Sequence, residues 1–428
     1  MKRVVLVSIV GIWAVLAAGV QAVPILILVS IDGWRWDYLD RADAPNLKAL
    51  AARGLRSEAL IPSFPTLTFP NHWTIVTGLL PDHHGIVSNT ILDRSIGPTR
   101  FTMSSETVKD ARWWGGEPIW ATATRQGRKT ASMFWPGSEA IHPTYFKPYD
   151  TKVPNADRVR QVLDWLALPE ADRPTFITLY FSAVDSAAHS TGPDSAATMA
   201  AASSIDAEIG RLIAGLTQAN LLDRTTVMAV SDHGLAQTSA DRVIVLDDYV
   251  QRSEVEVVDS GTWLAIKPAP GMTPDALLAR LSGRHRALTV YRKEALPSSL
   301  RYGSQPRIPA IIGVVEPGWL VMWRDAAARN AADGWTGGGA HGYVTSARDM
   351  HGLFVAAGPR VRRGYRAPPI ANIHLYHFMC ELLGLKPAPN DGDPAQTSGF
   401  LLRSAPTPIA ARPSDRRALH AAPARAPR

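Results

Sequence analysis

Six residues of this chain have the side chains of a hydrolytic metal site: Asp32, Asp185, His189, Asp232, His233 and His341. All offer nitrogen or oxygen. Cys380 is the only cysteine, so a thiolate-based site and an intramolecular disulfide are both excluded. Imidazole and carboxylate donors without sulfur suit zinc. Six donors exceed the needs of one tetrahedral ion, whereas two neighbouring ions would take three each and keep open positions. Two metals clamp the attacking and leaving oxygens of an in-line displacement, so phosphoryl chemistry is what such a set would serve. Asp185 and His189 stand four apart, which places them on one face of a helical turn. His341 follows Gly337-Gly338-Gly339, a backbone flexible enough to bring the ring into a crowded site. No piece is specific alone; the signal is their combination and order.

A nucleophile is on offer between residues 62 and 72, where Pro62, Pro65 and Pro70 alternate with Ser63, Thr66 and Thr68. That proline density excludes a helix interior or a central strand and predicts a turn, with a helix starting after Pro70. Composition does not choose among the three hydroxyls. A hydroxyl is a weak nucleophile at neutral pH, and coordination to zinc would lower its pKa.

These residues need elements to bring them together. Residues 24–31 are a continuous apolar run ending at Asp32-Gly33, residues 175–181 lead to Asp185, and residues 225–230 lead to Ser231-Asp232-His233-Gly234. Each reads as a buried parallel strand with a carboxylate at or just beyond its carboxyl end. Helical stretches fall at 44–54, with an early proline and a terminal glycine, and at 196–216. The alternation predicts an α/β sheet covered by helices, with ligands gathered at the carboxyl ends of the strands. Residues 243–336 are less regular, with weak strands such as 263–267, and read as an inserted lobe before the chain returns near His341.

The net charge of +7 resembles a nucleic-acid footprint until it is located. Lys2 and Arg3 carry two of the seven charges. The Ala/Pro/Arg tail 404–428, with five Arg against one Asp, carries four more, so residues 23–403 hold only +1. No nucleic-acid partner is expected, and the tail reads as a solvated, disordered end. Lys2-Arg3, an apolar run over 4–20 and the small residues ending at Ala22 read as a cleaved leader, residues 1–22. The expected location is periplasmic or secreted, without stable membrane insertion after cleavage.

Several blocks together resemble a known family. They are Ser30-Ile31-Asp32-Gly33, Thr68-Phe69-Pro70-Asn71-His72, Pro81-Asp82-His83-His84-Gly85, Asp185 with His189, Ser231-Asp232-His233-Gly234 and His341-Gly342-Tyr343. The chain resembles the nucleotide pyrophosphatase/phosphodiesterases of the alkaline phosphatase superfamily, in a minimal bacterial form, from about residue 25 to residue 392. The resemblance implies an alkaline-phosphatase-like three-layer sandwich: a mostly parallel central sheet, helices on both faces and the lobe inserted in a catalytic domain, 23–403. It implies two zinc ions. Thr68 would be the nucleophile and a ligand of one ion with Asp32, Asp232 and His233; Asp185, His189 and His341 would hold the other. It further implies that Asn89 hydrogen-bonds a non-bridging phosphate oxygen and that Phe69 and Tyr180 sandwich a nucleobase. His72, His83 and His84 are structural in this pattern, the tryptophan loops at 113–118 and 135–139 shape the site, and Ser88 and Ser182, at variable positions beside the motifs, are departures from it.

The implied partner is a small nucleotide or other phosphodiester, cleaved by a two-step displacement. A phospholipid headgroup diester, a phosphonoacetate-type substrate or a phosphate monoester would use the same site. The motifs contain no extra Arg for a third phosphate oxygen, and the aromatic residues favour a diester.

Overall fold

The structure is a computed structural model that describes residues 23–402 except Ser105. The expected leader at 1–22 and tail at 404–428 lie outside the described residues. No described helix is long and apolar enough to cross a membrane.

The first apolar run forms β1 (Ile25–Ile31) at the middle of an eight-stranded sheet. The other strands are β2 (Leu55–Ser57), β3 (Thr130–Met133), β4 (Tyr145–Lys147), β5 (Phe176–Phe181), β6 (Thr225–Val230), β7 (Phe354–Ala357) and β8 (Tyr365–Ala367). Their order is β8-β2-β7-β6-β1-β5-β3-β4. Every pairing is parallel except the two made by β7. A strand buried on both faces feeds two cores by alternation. Ile25, Ile27, Val29 and Ile31 pack with helices α1 (Pro45–Arg53), α3 (Asn155–Leu166) and α5 (Ala196–Gln218). Leu26 and Leu28 face the opposite core, with α2 (Thr68–Thr77) and α6 (Leu375–Leu383). The result is the expected three-layer α/β sandwich.

Register decides what meets at the strand ends. Ser30 is opposite both Tyr180 of β5 and Val230 of β6. The next residues out, Asp32 and Asp232, therefore emerge side by side, and the chain after β5 turns into α4 (Ala183–Thr191). Asp185 N–H donates to Asp32 O at 3.1 Å, which ties the first turn of α4 to the end of β1.

Within the region read as an insertion, Val255–Ser260, Trp263–Pro268, Leu288–Arg292 and Ile311–Val315 form a separate four-stranded antiparallel sheet with its own apolar cluster. The chain then returns through Gly339–Ala340 to His341.

Helix α2 begins at Thr68, two residues ahead of Pro70 rather than after it. Proline is tolerated in the first helical turn because its missing N–H has no intrahelical partner there anyway. Thr68 thus becomes the first residue of a helix, where orphan N–H groups and the dipole favour negative charge.

Candidate active site

The six candidate ligands converge. Ligand atoms of Asp185, His189 and His341 lie within 4.8 Å of one another, as do those of Asp32, Asp185 and His233. Asp185 Oδ1 stands 3.3 Å from His189 Nε2 and 3.8 Å from His341 Nε2. His233 Nε2 lies 3.0 Å from Asp232 Oδ2 and 3.5 Å from Asp32 Oδ1.

Backbone contacts fix the tautomers. Nδ1 of His189 contacts Gly339 O at 2.8 Å, Nδ1 of His341 contacts Thr66 O at 2.9 Å, and Nδ1 of His233 contacts Gly234 O at 3.2 Å. A carbonyl only accepts, so each Nδ1 carries the proton. In the neutral ring that leaves the Nε2 lone pair aimed into the cluster, the usual second-sphere arrangement of a metal-binding histidine.

The carboxylates test whether a cation fits. Asp32 Oδ1, Asp185 Oδ1 and Asp232 Oδ2 are buried and accept no hydrogen bond. Burial pushes the Asp32 carboxyl well up, reinforced by Asp232 and Asp185. Burial opposes ionisation of Asp232 and Asp185 too, but imidazoles pull both down: His233 and His72 for Asp232, His189 and His341 for Asp185. Burial and the neighbouring His233 and His189 push His341 down to about 3. Three orphaned acceptors facing three imidazole lone pairs is a donor set that divalent cations complete, and oxygen with nitrogen matches zinc.

Glycine at 338 has a different use from flexibility. A Cβ there would lie 2.2 Å from His189 O, so only glycine lets this strand pass the end of α4 closely enough to bring His341 to Asp185.

The three hydroxyls now separate. Ser63 Oγ donates to Asn372 Oδ1 at 3.1 Å. Thr66 Oγ1 donates to Tyr343 O at 3.0 Å and accepts from Gly342 N at 2.9 Å, bracing the His341 loop. Thr68 Oγ1 faces the cluster, 3.2 Å from His233 Nε2. Asn71 pins the approach to it: its Nδ2 lies within hydrogen-bond reach of Ser63 O, Pro65 O and Leu67 O, and its Oδ1 accepts from Ser63 N.

Asn89 Oδ1 accepts from Phe69 N at 2.9 Å, which leaves its Nδ2, a donor, as the free end of the amide beside Thr68. The Phe69 ring packs against Phe101 and Trp114. Tyr180 does not offer the stacking face expected of it. It is 9% exposed, donates its hydroxyl to Asp32 Oδ2 at 2.6 Å, and is flanked by His72 and Tyr149. Register sends the Tyr180 side chain into the protein beside Asp32; the exposed aromatic is Tyr149, at 45%, with its ring 5.8 Å from that of Tyr180. Tyr149 lies in an irregular segment without a motif, so no local pattern singled it out.

Of the histidines read as structural, His72 adjoins the cluster, with a ring nitrogen within 4.8 Å of carboxylate oxygens of Asp32 and Asp232. His72 donates Nδ1–H to Thr68 O at 2.8 Å, with Asp232 Oδ2 at 3.3 Å, and Nε2 takes the Ser30 hydroxyl at 2.8 Å. It has no lone pair left for an ion, yet it steadies both Thr68 and Asp232. His84 contacts Thr74 Oγ1 and Ile86 N, and His83 pairs with Asp391. Trp135 Nε1 reaches His72 O, and Trp73 Nε1 reaches Gly115 O, so both tryptophan loops pack against α2.

Comparison with known proteins gives concordant results. The family model of type I phosphodiesterase / nucleotide pyrophosphatase matches residues 26–344. A venom phosphodiesterase of Crotalus durissus collilineatus is 35% identical over 415 residues, covering 92% of this chain and 48% of its own. Ectonucleotide pyrophosphatase/phosphodiesterase family member 3 of Mus musculus is 36% identical over 406 residues, covering 90% of this chain and 44% of its own. The chain thus spans about half the length of these curated relatives. Among solved structures, murine ectonucleotide pyrophosphatase/phosphodiesterase 5, an inactive threonine-to-alanine variant in complex with AMP, superposes with a TM-score of 0.83 at 32% identity. That match covers 89% of this chain and all of the other.

Proposed function

This chain belongs to the type I phosphodiesterase / nucleotide pyrophosphatase family, within the alkaline phosphatase superfamily, and from that premise we propose that it hydrolyses phosphodiester or pyrophosphate bonds of nucleotides with Thr68 as nucleophile. The observation that carries the reading is Thr68 Oγ1 at the first residue of α2, 3.2 Å from His233 Nε2, in a site where Asp32, Asp185 and Asp232 each keep one buried oxygen without a hydrogen-bond donor.

Asp32, Asp232, His233 and Thr68 would hold one zinc ion, and Asp185, His189 and His341 a second. Bound there, the metals supply Lewis-acid charge that lowers the hydroxyl pKa and stabilises the leaving oxygen. The Thr68 oxygen, deprotonated, displaces one alcohol or phosphate from phosphorus and forms a phosphothreonine diester. Water then displaces Thr68 and releases a phosphate monoester. Asn89 Nδ2 donates to a non-bridging oxygen in both steps, and its orientation is set in advance by Phe69 N. His72 holds the Thr68 carbonyl and Asp232 in place. The catalytic domain is residues 23–403 with its lobe at 243–336, and the apolar run at 4–20 supports export to the periplasm or beyond.

On this reading Phe69 and the exposed Tyr149 would offer the faces of a base subsite, and AMP in the murine relative supports a nucleotide as ligand. Stacking is worth about 1–3 kcal/mol per base and tolerates any base, so Tyr149→Ala is expected to raise KM for a nucleotide diester roughly tenfold or more with kcat changed little. Steady-state kinetics on a p-nitrophenyl nucleotide would show it; an unchanged KM would move the subsite elsewhere.

The function is tested with zinc-loaded protein on a p-nitrophenyl nucleotide diester and on p-nitrophenyl phosphate, each with and without chelator. Faster, chelator-sensitive diester cleavage is expected. Faster monoester cleavage would make the protein a phosphatase on the same site.

A further inference from the structure

The loop that ends in Asn89 is gripped by the inserted lobe from two sides. From one side Tyr302 donates its hydroxyl to Val87 O at 3.0 Å and Arg307 Nη1 donates to Gly85 O at 2.9 Å. Asp82, at the head of the same loop, accepts from the backbone N–H groups of Gly303 and Ser304 at 3.0 and 2.8 Å. From the other side comes Asp259, on the first strand of the lobe sheet.

Ser88 is 2% exposed and donates its hydroxyl to Asp259 Oδ2 at 2.5 Å. The same Ser88 Oγ accepts from Thr90 N at 3.2 Å. Both chain neighbours of Asn89 are therefore tied to one oxygen atom, and Asp259 sets where that atom sits. Asp259 accepts further bonds from Trp263 Nε1 at 3.2 Å and Ser260 N at 2.9 Å. Among the described residues it makes no ion pair with Lys or Arg within 4.0 Å. Burial accordingly pushes its carboxyl up. Holding a partly buried carboxyl without an ion-paired cation is unfavourable. What it gives in return is a short, directional O–H···O bond to Ser88.

We propose that Asp259 is a positioning residue for Asn89: through Ser88 Oγ it fixes the backbone on both sides of Asn89 and keeps the amide donor aimed at the phosphate beside Thr68. The inserted lobe is then part of the catalytic apparatus, although it contributes no ligand to the metal cluster. The inference rests on the reading of Asn89 as donor to a non-bridging oxygen.

The test is a double-mutant cycle on full-length, zinc-loaded protein with the p-nitrophenyl nucleotide. Loss of an oxyanion donor costs about 10²–10³ in kcat, and loosening one rather than removing it is expected to cost about tenfold. Asp259→Ala and the smaller change Ser88→Ala should each lower kcat by that amount with KM and zinc content held. Asp259→Asn, which keeps an acceptor for Ser88, should recover part of it. Either alanine should cost nothing further once Asn89→Ala is present. Equal losses with and without Asn89, or no loss in either single variant, would overturn the proposal. An Asn89→Ala protein at full activity would overturn it through the role of Asn89 itself, an outcome separable because it is read in the Asn89→Ala single variant, before any Asp259 or Ser88 change is made.

Discussion

Thr68→Ala should abolish turnover, by at least roughly 10⁴-fold in kcat, while zinc stays bound. The size follows from the mechanism. A covalent route loses its bond-forming atom, and what remains is positioning and charge stabilisation of a water that has no defined place in the first step. The retention of zinc follows from the ligand set. Six carboxylate and imidazole side chains are untouched, and the Nδ1 contacts that orient the three imidazoles use the carbonyls of Gly339, Thr66 and Gly234. The backbone at 68 also keeps its contact to His72. Metal content by elemental analysis and single-turnover kinetics check both halves. Appreciable multiple turnover in zinc-replete buffer would exclude Thr68 as nucleophile, and loss of the metal would show that its hydroxyl is a dominant ligand.

Asp32→Asn is expected to change the stability of the metal-free and metal-loaded proteins in opposite directions. In the metal-free protein the Asp32 carboxyl is raised well above its ordinary value, first by burial and then by Asp232 and Asp185. A carboxyl held up in the fold binds its proton more tightly than the unfolded chain does. Its penalty is therefore absent below the ordinary carboxyl pKa and grows as pH rises toward the raised one. Asparagine removes that charge at every pH and still accepts the Tyr180 hydroxyl. Each pKa unit relieved is worth about 1.4 kcal/mol, so the metal-free variant should melt higher than the parent at neutral pH and converge with it in acid. With zinc the order reverses, because the variant has lost an anionic ligand; activity should fall by roughly 10² or more, the scale of a lost electrostatic contact at the reacting centre. Thermal melts with zinc and with chelator, at neutral and acid pH, test this directly. A metal-free variant no more stable than the parent would mean that burial and the neighbouring Asp232 and Asp185 do not hold the Asp32 carboxyl up.

Both results express one property of the site. The Asp32 carboxylate is unfavourable in the bare protein, whereas imidazoles hold Asp185 and Asp232 ionised, so stability is given up at Asp32, where function needs a ligand.

Much of this was legible from the chain alone, for a physical reason in each case. Apolar runs of β-branched residues ending in Asp announce parallel strands because such strands are buried on both faces, as β1, β5 and β6 are. The spacing of Asp185 and His189 marks one helical face, which α4 realises. Ligand chemistry and motif order pointed to the metals, and charge bookkeeping placed most of the positive charge in the two ends of the chain. Tertiary structure alone decided the rest. Composition left Ser63, Thr66 and Thr68 open and only the family resemblance favoured Thr68; what the three hydroxyls meet, Asn372, Tyr343 and His233, lies 309, 277 and 165 residues away. Strand register turned Tyr180 inward onto Asp32 and left Tyr149 exposed. The glycines before His341 proved to matter for close approach to α4, which depends on an atom, His189 O, that no local pattern places. Asp259 came to rest on Ser88 across 171 residues of chain. Periodicity and spacing are set within a turn or two of backbone, whereas the partner of a particular oxygen is set by how distant elements pack, and that information exists only once the chain has folded.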